Sequence, residues 1–507
     1  MVRQYLRGGL RKVAVVGAFL VVSTLLMVGA RLPQKSSSVT SAEDSHVDET
    51  LDWNEQLIDG LFTAGTTPPP ALRLAAIMNI AMFDAANAVT HRSHPFHFDL
   101  TAPPDTSRRA ARIGAAYTVL SKVFPSQQAK WDAAKAASVA ALTDDEDDDG
   151  TGQSTANGLA WGSTVALDVL AWRATDGFTR TFPPFVGGTA IGQWRPTPPA
   201  FLPMVQMQFA FLAPFVVTSL DQFLPGKPRG LNTDVWVSDY NEVKAIASNT
   251  STTRTADQTS IAWFWAGVGW AHWSEAAHAL AVANHSNREI TSRLFAQMAA
   301  AGADTISTTW HGKRLYAEDA TAVTWRPITA IRLGGDGNPA TPADPAWTPL
   351  IPTQPHPEYV AAHPSFNGCG AAVLEAYFGE DASDHSTQSF TLSYPVAPSA
   401  AFGALPPGVT PTRSFTSIAQ AEQEGNDARI FGGLHYRSSV DVADNEGRTI
   451  AAYVMANFGT PIHRGQGDGQ RRERGPQPQG TATAAVTVNR LAPPPTSNTR
   501  SPVPLLR

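Results

Sequence analysis

Apolar positions recur at helical spacing along most of the chain. After Thr67-Pro68-Pro69-Pro70, whose prolines suit a first helical turn, Leu74, Ile77, Ile80 and Ala81 keep that spacing through to Ala88 and predict a helix. Residues 108–124 and 127–142 predict two more, parted by Pro125, and residues 155–173 another that ends at Asp176-Gly177. Residues 234–248, 257–283 and 288–302 are helical again, the last with Leu294, Met298 and Ala301 on one face. A helix over 367–378 and one ending after Met455 complete the set. Strand alternation is sustained nowhere, so the predicted class is all-α, a helical bundle domain with long loops. The Pro-rich stretch from 177 to about 228 carries few helical signals and is expected to wrap the helical body.

The two ends read differently. Arg3, Arg7, Arg11 and Lys12 precede an apolar run from Val13 to Val28, and Val28-Gly29-Ala30 has the small residues of a cleavage site. Residues 1–30 therefore read as a signal peptide or, since about 18 apolar residues reach across a bilayer, a signal anchor. Either places the rest outside the cytoplasm, secreted, periplasmic or at the cell surface. No other window is apolar enough to span a membrane. Residues 31–49 form a polar, flexible lead, residues 50–460 a single domain, and 461–507 a Gly-, Pro- and Gln-rich tail expected to be disordered.

Composition narrows the chemistry. With 43% hydrophobic residues the chain can bury a large core, while 16% charged residues and a net charge of −6 argue against nucleic acid as a partner. Cys369 is the sole cysteine, which excludes an intrachain disulfide and a multi-thiolate metal site. Three polar clusters have plain readings. Asp84 and Asn87 lie one turn apart and read as polar interhelix contacts. His91, His94 and His97 are interrupted by Pro95 and read as loop histidines. The acidic run 144–150 opens like a calcium loop, but Ala156 stands where a bidentate Glu is required, so it reads as a solvated loop.

Three separated pieces carry the functional signal. Trp310-His311-Gly312-Lys313 is followed by Trp325-Arg326-Pro327, which reads as a helix stop; then comes the stretch from His356 to His363; last is Arg429-Ile430-Phe431-Gly432-Gly433-Leu434-His435. Singly, each has an ordinary explanation as a surface ion pair or a helix cap. Together Lys313, Arg326, Arg429, His363 and His435 supply fixed donors and two proton-carrying imidazoles, a set suited to a tetrahedral oxyanion. His363 precedes the helix over 367–378, so backbone amides near Ala362 add to the same pole. Gly432-Gly433 lets the chain turn between a helix ending near Arg429 and one opening near His435.

These pieces resemble the vanadium-dependent haloperoxidase and type-2 phosphatidic acid phosphatase superfamily, whose pattern is Lys, Arg-Pro, Ser-Gly-His, then Arg and, six residues on, His. Asp52-Trp53-Asn54, residues 73–87, Gly192-Gln193-Trp194, Arg293 to Ala296, Thr329 to Arg332 and Trp347 to Leu350 resemble its secreted bacterial branch. The resemblance implies two four-helix bundles and a vanadate cofactor. It also implies that His435 bonds vanadium, or attacks phosphorus in a phosphatase, that His363 is the general acid–base, and that Arg326, Arg429 and Lys313 clamp the oxyanion. His356 falls at the halide-side position. Hydrogen peroxide and halide would then be the partners and hypohalous acid the product. The alternatives are an acid phosphatase working through a phosphohistidine on a phosphate ester, and a non-catalytic anion-binding member.

Two departures mark this chain. The interval from Lys313 to Arg326 is about twice the family's, and at the strict interval Asp319 would take the lysine's place. Ala361-Ala362 replaces Ser-Gly, losing a hydroxyl donor of a kind worth about 3 kcal/mol in catalysis.

Overall fold

A computed structural model describes residues 48–142, 152–379, 388–394 and 405–462. The signal or anchor segment, nearly all of the lead, the acidic run and all but the first two residues of the tail lie outside the described residues. Thirteen α-helices and one two-stranded ribbon make up the described part.

α1 (Glu49–Thr63), α2 (Pro68–Thr90), α3 (Arg108–Val123), α4 (Gln128–Ala140) and α5 (Gln153–Arg173) form the first group. α2 runs through its middle. This helix is long and apolar enough to cross a membrane, contrary to the reading that no further window is, but 89% of its apolar window is buried inside the protein. α3 and α5 approach so closely that a Cβ on Gly162 would lie 2.0 Å from the Ala111 carbonyl. α6 (Asp234–Ile246), α7 (Ala256–Phe264), α8 (Gly269–Ala283), α10 (Pro327–Leu333), α11 (Ala362–Phe378), α12 (Ile418–Phe431) and α13 (Arg437–Asn457) belong to the second. α9 (Arg288–Glu318) packs against α2 on one side and α11 and α13 on the other, so one helix serves both groups.

Several boundaries differ from the sequence reading. The helix expected over 257–283 breaks into α7 and α8 at Trp265–Val268, where Val268 is extended and Trp265 is buried against Trp273. The helix expected to stop at Gly302 continues to Glu318 because Ala303, Ile306, Trp310 and Ala317 keep burying one face. Trp325-Arg326-Pro327 does not stop a helix; Arg326 is the N-cap and Pro327 the first residue of α10. β1 (Phe390–Ser393) and β2 (Thr412–Phe415) pair antiparallel, an element too short for its alternation to stand out.

The wrap after α5 lies over α9 as expected and is tied down by one carboxylate. Asp304, fully buried on α9, accepts backbone N–H groups of Phe215, Val216 and Val217 at 2.6–2.9 Å. Asp84 does the same for the loop after α2, accepting from Phe96, His97 and Phe98, while Asn87 holds Ser93; both organise a loop rather than an interhelix contact. His97 stacks on Trp172, and among the described residues no cluster of His, Cys, Asp or Glu is placed to hold a metal ion.

The α11–α13 contact is a close one in the second group. A Cβ at Gly447 would stand 1.7 Å from the Ser365 carbonyl and 2.8 Å from the Cys369 nitrogen, both backbone atoms. Gly447→Ala is expected to cost about 2–3 kcal/mol by forcing these helices apart. Gly226→Ala, with open space around it, should change stability by less than about 0.5 kcal/mol. Denaturant midpoints of the two variants check the contrast, and equal midpoints would refute the packing argument.

Candidate active site

Each cationic residue is delivered by a different local device. Lys313 sits on α9 beside Gly312, where a Cβ would meet Leu224 at 2.8 Å and Val360 at 3.0 Å. That close packing lets the fully buried amine donate to the carbonyls of Pro357 (2.7 Å) and Glu358 (3.0 Å). The long interval after Lys313 is absorbed by the end of α9 and a turn, and Asp319 faces Lys227 and Thr321 instead of the site.

Arg326 is extended, as a residue before proline prefers. Its segment is fastened by Thr324 and Trp325 donating to the Gly192 carbonyl. Trp325 stacks on Trp236, which meets Tyr436 edge-on, so an aromatic layer links the neighbours of Arg326 and His435. Arg429 occupies the last turn of α12. Gly433 follows at φ +78°, with room for a Cβ denied by Pro349 at 2.8 Å, and turns the chain so that His435 comes back to Arg326. His435 is thus two residues ahead of α13, while α11 already begins at Ala362, which puts His363 in its first turn rather than before the helix.

The side chains converge. Arg326 Nη1 donates to the Leu434 carbonyl (2.8 Å) and reaches His435 Nε2 at 3.2 Å; Nη2 reaches His356 Nδ1 at 2.8 Å; Nε donates to the His356 carbonyl at 2.8 Å. On its other side His435 Nδ1 lies 2.8 Å from Glu358 Oε1, which also accepts the Tyr436 N–H. An arginine only donates, so Nε2 carries the lone pair and Nδ1 carries the proton given to Glu358. His363 Nε2 lies 3.1 Å from the Gly267 carbonyl, an acceptor only, which fixes the proton there and leaves Nδ1 basic.

Electrostatics separate the members. Burial, with Arg326 and Lys313 helping, holds His435 well below the ordinary imidazole range; burial and Arg429 do the same for His363. Burial and Arg326 also push Lys313 well down. Two carboxyls oppose this positive field. Burial raises Glu358 to about 7, with Lys313 and Arg326 pulling it back. Glu446 on α13 is raised by burial to about 7 as well, and its Oε2 accepts from Ser365 (2.7 Å) and Thr309 (3.0 Å).

Among the buried cations of the cluster Arg429 is the one with unpaired donors, although Glu446 Oε1 and the Tyr436 hydroxyl nearby also lack a partner. Arg429 is 2% exposed, yet its Nε and Nη1 have no acceptor. A buried charge without a partner is costly, several kcal/mol in real proteins. The α11 N-terminus adds first-turn amides at Ala362 and His363 with no acceptor inside the helix, and Ala361 offers no side-chain cap. The nearby Ser365 hydroxyl is engaged by Glu446, so it does not replace the hydroxyl lost at Ala361. This donor set fits a tetrahedral oxyanion, with Arg429 and the helix end ready and Arg326 already bonded to protein. His356, Ala362 and His363 line one part of a cleft of about 310 Å³.

Glu358 and Glu446 were not singled out from the sequence. Glu358 lies inside the quoted His356–His363 stretch, where a carboxylate amid Tyr359-Val360-Ala361-Ala362 was the available signal. Glu446 had none beyond a lone acid on a helix. Its raised value has a testable sign. Between the usual 4.5 and about 7 the folded chain keeps a proton that the unfolded chain has released, so stability falls as pH rises through that window. Glu446→Gln escapes the loss and should gain on the order of 3 kcal/mol relative to the parent between pH 4.5 and pH 7.5. Unfolding midpoints across that range measure it, and parallel pH curves for the two proteins would count against the assignment.

Comparison with known proteins bears on the same region. No curated protein matches the sequence significantly. Residues 293–463 match the family described as VCPO second helical-bundle domain. Among solved structures, a bacterial vanadium-dependent iodoperoxidase superposes with a TM-score of 0.65 at 22% identity, covering 83% of this chain and 99% of that one. A bacterial vanadium-dependent chloroperoxidase superposes with TM-scores of 0.58 in its apo form (16% identity, 76% and 92% coverage) and 0.57 in its holo form (17%, 77% and 91%). Residues 293–463, which hold Lys313, Arg326, His363, Arg429 and His435, match the model of the VCPO second helical-bundle domain, and the chain shares its helical-bundle fold with these solved bacterial structures.

Proposed function

We propose that this protein is a vanadate-dependent haloperoxidase, oxidising halide with hydrogen peroxide to hypohalous acid. The observation that carries the reading is the buried Arg429 with two unanswered N–H groups, gathered with Arg326, Lys313, His363 and His435. Arg429, Lys313 and the amides at Ala362 and His363 would hold the oxyanion. Arg326 would join by exchanging its contacts to His435 and His356. His435 presents Nε2, kept unprotonated by burial and by the cations around it, while Glu358 holds the ring in that tautomer. Vanadate, when bound, supplies the Lewis-acid centre at which peroxide becomes reactive toward halide. His363 Nδ1 is free to take a proton from peroxide and to return one to the departing oxygen. His356, which contacts Arg326 and lines the cleft, would be the residue to meet the halide.

A second reading has its own support. A histidine oriented by a buried carboxylate is the arrangement of a histidine nucleophile, and the His435–Glu358 pair fits a phosphohistidine route with His363 protonating the leaving group. Phosphate and vanadate would use the same donors. We also propose export from the cytoplasm, on the basic and then apolar N-terminus; N-terminal sequencing of protein recovered outside expressing cells tests it.

Vanadate-loaded protein is expected to oxidise bromide in the presence of peroxide. His435→Ala should abolish this, and His363→Ala should lower it by about 10²–10⁴-fold. Arg429→Ala should weaken vanadate and phosphate binding measured by calorimetry. Folded protein that binds no vanadate and oxidises no halide overturns the reading, and hydrolysis of a phosphomonoester without halide oxidation selects the phosphatase.

A further inference from the structure

A second opening approaches the cluster and shares no lining residue with the cleft beside His363. It is a groove between Phe223, Leu224 and Pro225 of the wrap and Asp441, Asn445 and Glu446 of α13. Leu224 also packs at Gly312, so the groove wall reaches α9 one residue from Lys313. Glu446, 3% exposed, is the one buried residue among those described that line the groove. Its Oε2 accepts the Ser365 and Thr309 hydroxyls, while its Oε1 has no partner. A glutamine oxygen would accept the same two hydroxyls, so hydrogen bonding alone does not call for an ionisable group there. An unanswered oxygen on a buried side chain calls for its own explanation. Lys313 stands one turn along α9 from Thr309, and its charge and that of Glu446 shift one another with no ion pair between them among the described residues. Tyr316 of α9 and Tyr359 also feel the carboxyl and are held neutral, and Asp441 stands exposed in the groove.

The proposed reaction has a proton to account for. Peroxide oxidises halide by two electrons: its O–O bond breaks, one oxygen leaves in hypohalous acid and the other as water, and one proton is consumed per turnover. His363 returns the proton it takes. Burial and nearby cations keep His356, His363 and His435 neutral, so none of them brings the extra one. We infer that Glu446 is where that proton enters: it takes protons from water in the groove and passes them to the oxyanion site through Lys313. The inference rests on the haloperoxidase reading for the need of a proton but not for the exchange itself. A carboxyl raised by burial to about 7 holds and releases a proton near neutrality. Lys313, pushed well down by burial, gives up a proton more readily than an ordinary amine. Each transfer moves one proton and leaves Glu446 to be recharged from solvent.

Inorganic phosphate serves as the probe of the exchange. Calorimetry on the full folded chain at about pH 7, in buffers of different ionisation enthalpy, counts the protons taken up as phosphate binds. An anion beside Lys313 offsets the cation that holds the Glu446 value down, so the carboxyl should take up about half a proton. Glu446→Gln should bind phosphate and lose that share of the uptake. With vanadate, bromide and peroxide, Glu446→Gln should lower kcat by about tenfold or more while leaving KM for bromide and peroxide unchanged. Glu446→Ala should be equally slow and be restored by added formic acid, to which the parent should not respond. Glu446→Gln, which keeps an acceptor for Ser365 and Thr309, carries the test if Glu446→Ala does not fold. Equal proton counts in the parent and Glu446→Gln, or an unchanged kcat, overturn the inference. A folded, slow Glu446→Ala that no small acid restores overturns it too, since the side chain is then a packing element. If no halide is oxidised at all, the haloperoxidase reading fails while the proton count still decides whether Glu446 exchanges with the site.

Discussion

A guanidinium removed from water with two of its N–H groups unanswered is the constraint around which the second helix group is built. Arg429 is held in that position by the last turn of α12, by the glycine turn that follows, and by the Leu434 N–H donated to its carbonyl. Nothing local rewards the arrangement. The surrounding fold supplies the stability that keeps a cation there, as happens where strain or unpaired charge belongs to a binding site. Lys313 and Arg326 deepen the positive field. Glu358 and Glu446 moderate it without reaching Arg429 in any hydrogen bond of the structure.

The same field decides what the imidazoles are. A histidine in water would be partly protonated near neutral pH, and a protonated Nε2 can neither bind a metal centre nor attack phosphorus. Burial together with nearby cations keeps His435 and His363 neutral, and the partners on their opposite nitrogens fix which nitrogen is free. An oxyanion held as proposed would partly offset the field that the three cations create, so its binding and the protonation state would be coupled.

Rigidity comes from close helix approach. α9, α11 and α13 each contribute to the pocket walls or carry a site residue, and Glu446 joins all three through Thr309 and Ser365. Glycines stand where helices or turns touch backbone or bulky side chains, at 312, 433 and 447. The aromatic layer of Trp236, Trp325 and Tyr436 fills the opposite side. These contacts fix the segments that carry the donors.

Much of this was legible in order along the chain. Helical periodicity, proline starts and the paired glycines are local signals, so α2, α3, α4, α5 and α6 fall close to where the pattern puts them, and the residues of the oxyanion cluster are visible as types at intervals. Tertiary structure decided what those intervals could not. α9 runs past Gly302 because its apolar face keeps finding burial, and only that extension carries Lys313 to the carbonyls of Pro357 and Glu358. Arg326 opens a helix rather than closing one, Glu358 becomes the partner of a histidine 77 residues away, and Arg429 rather than Arg326 keeps free donors. The reason is physical: secondary structure follows from neighbours a few residues apart, whereas burial, the identity of a hydrogen-bond partner and the charge state of a buried group are set by whatever distant segment packs alongside.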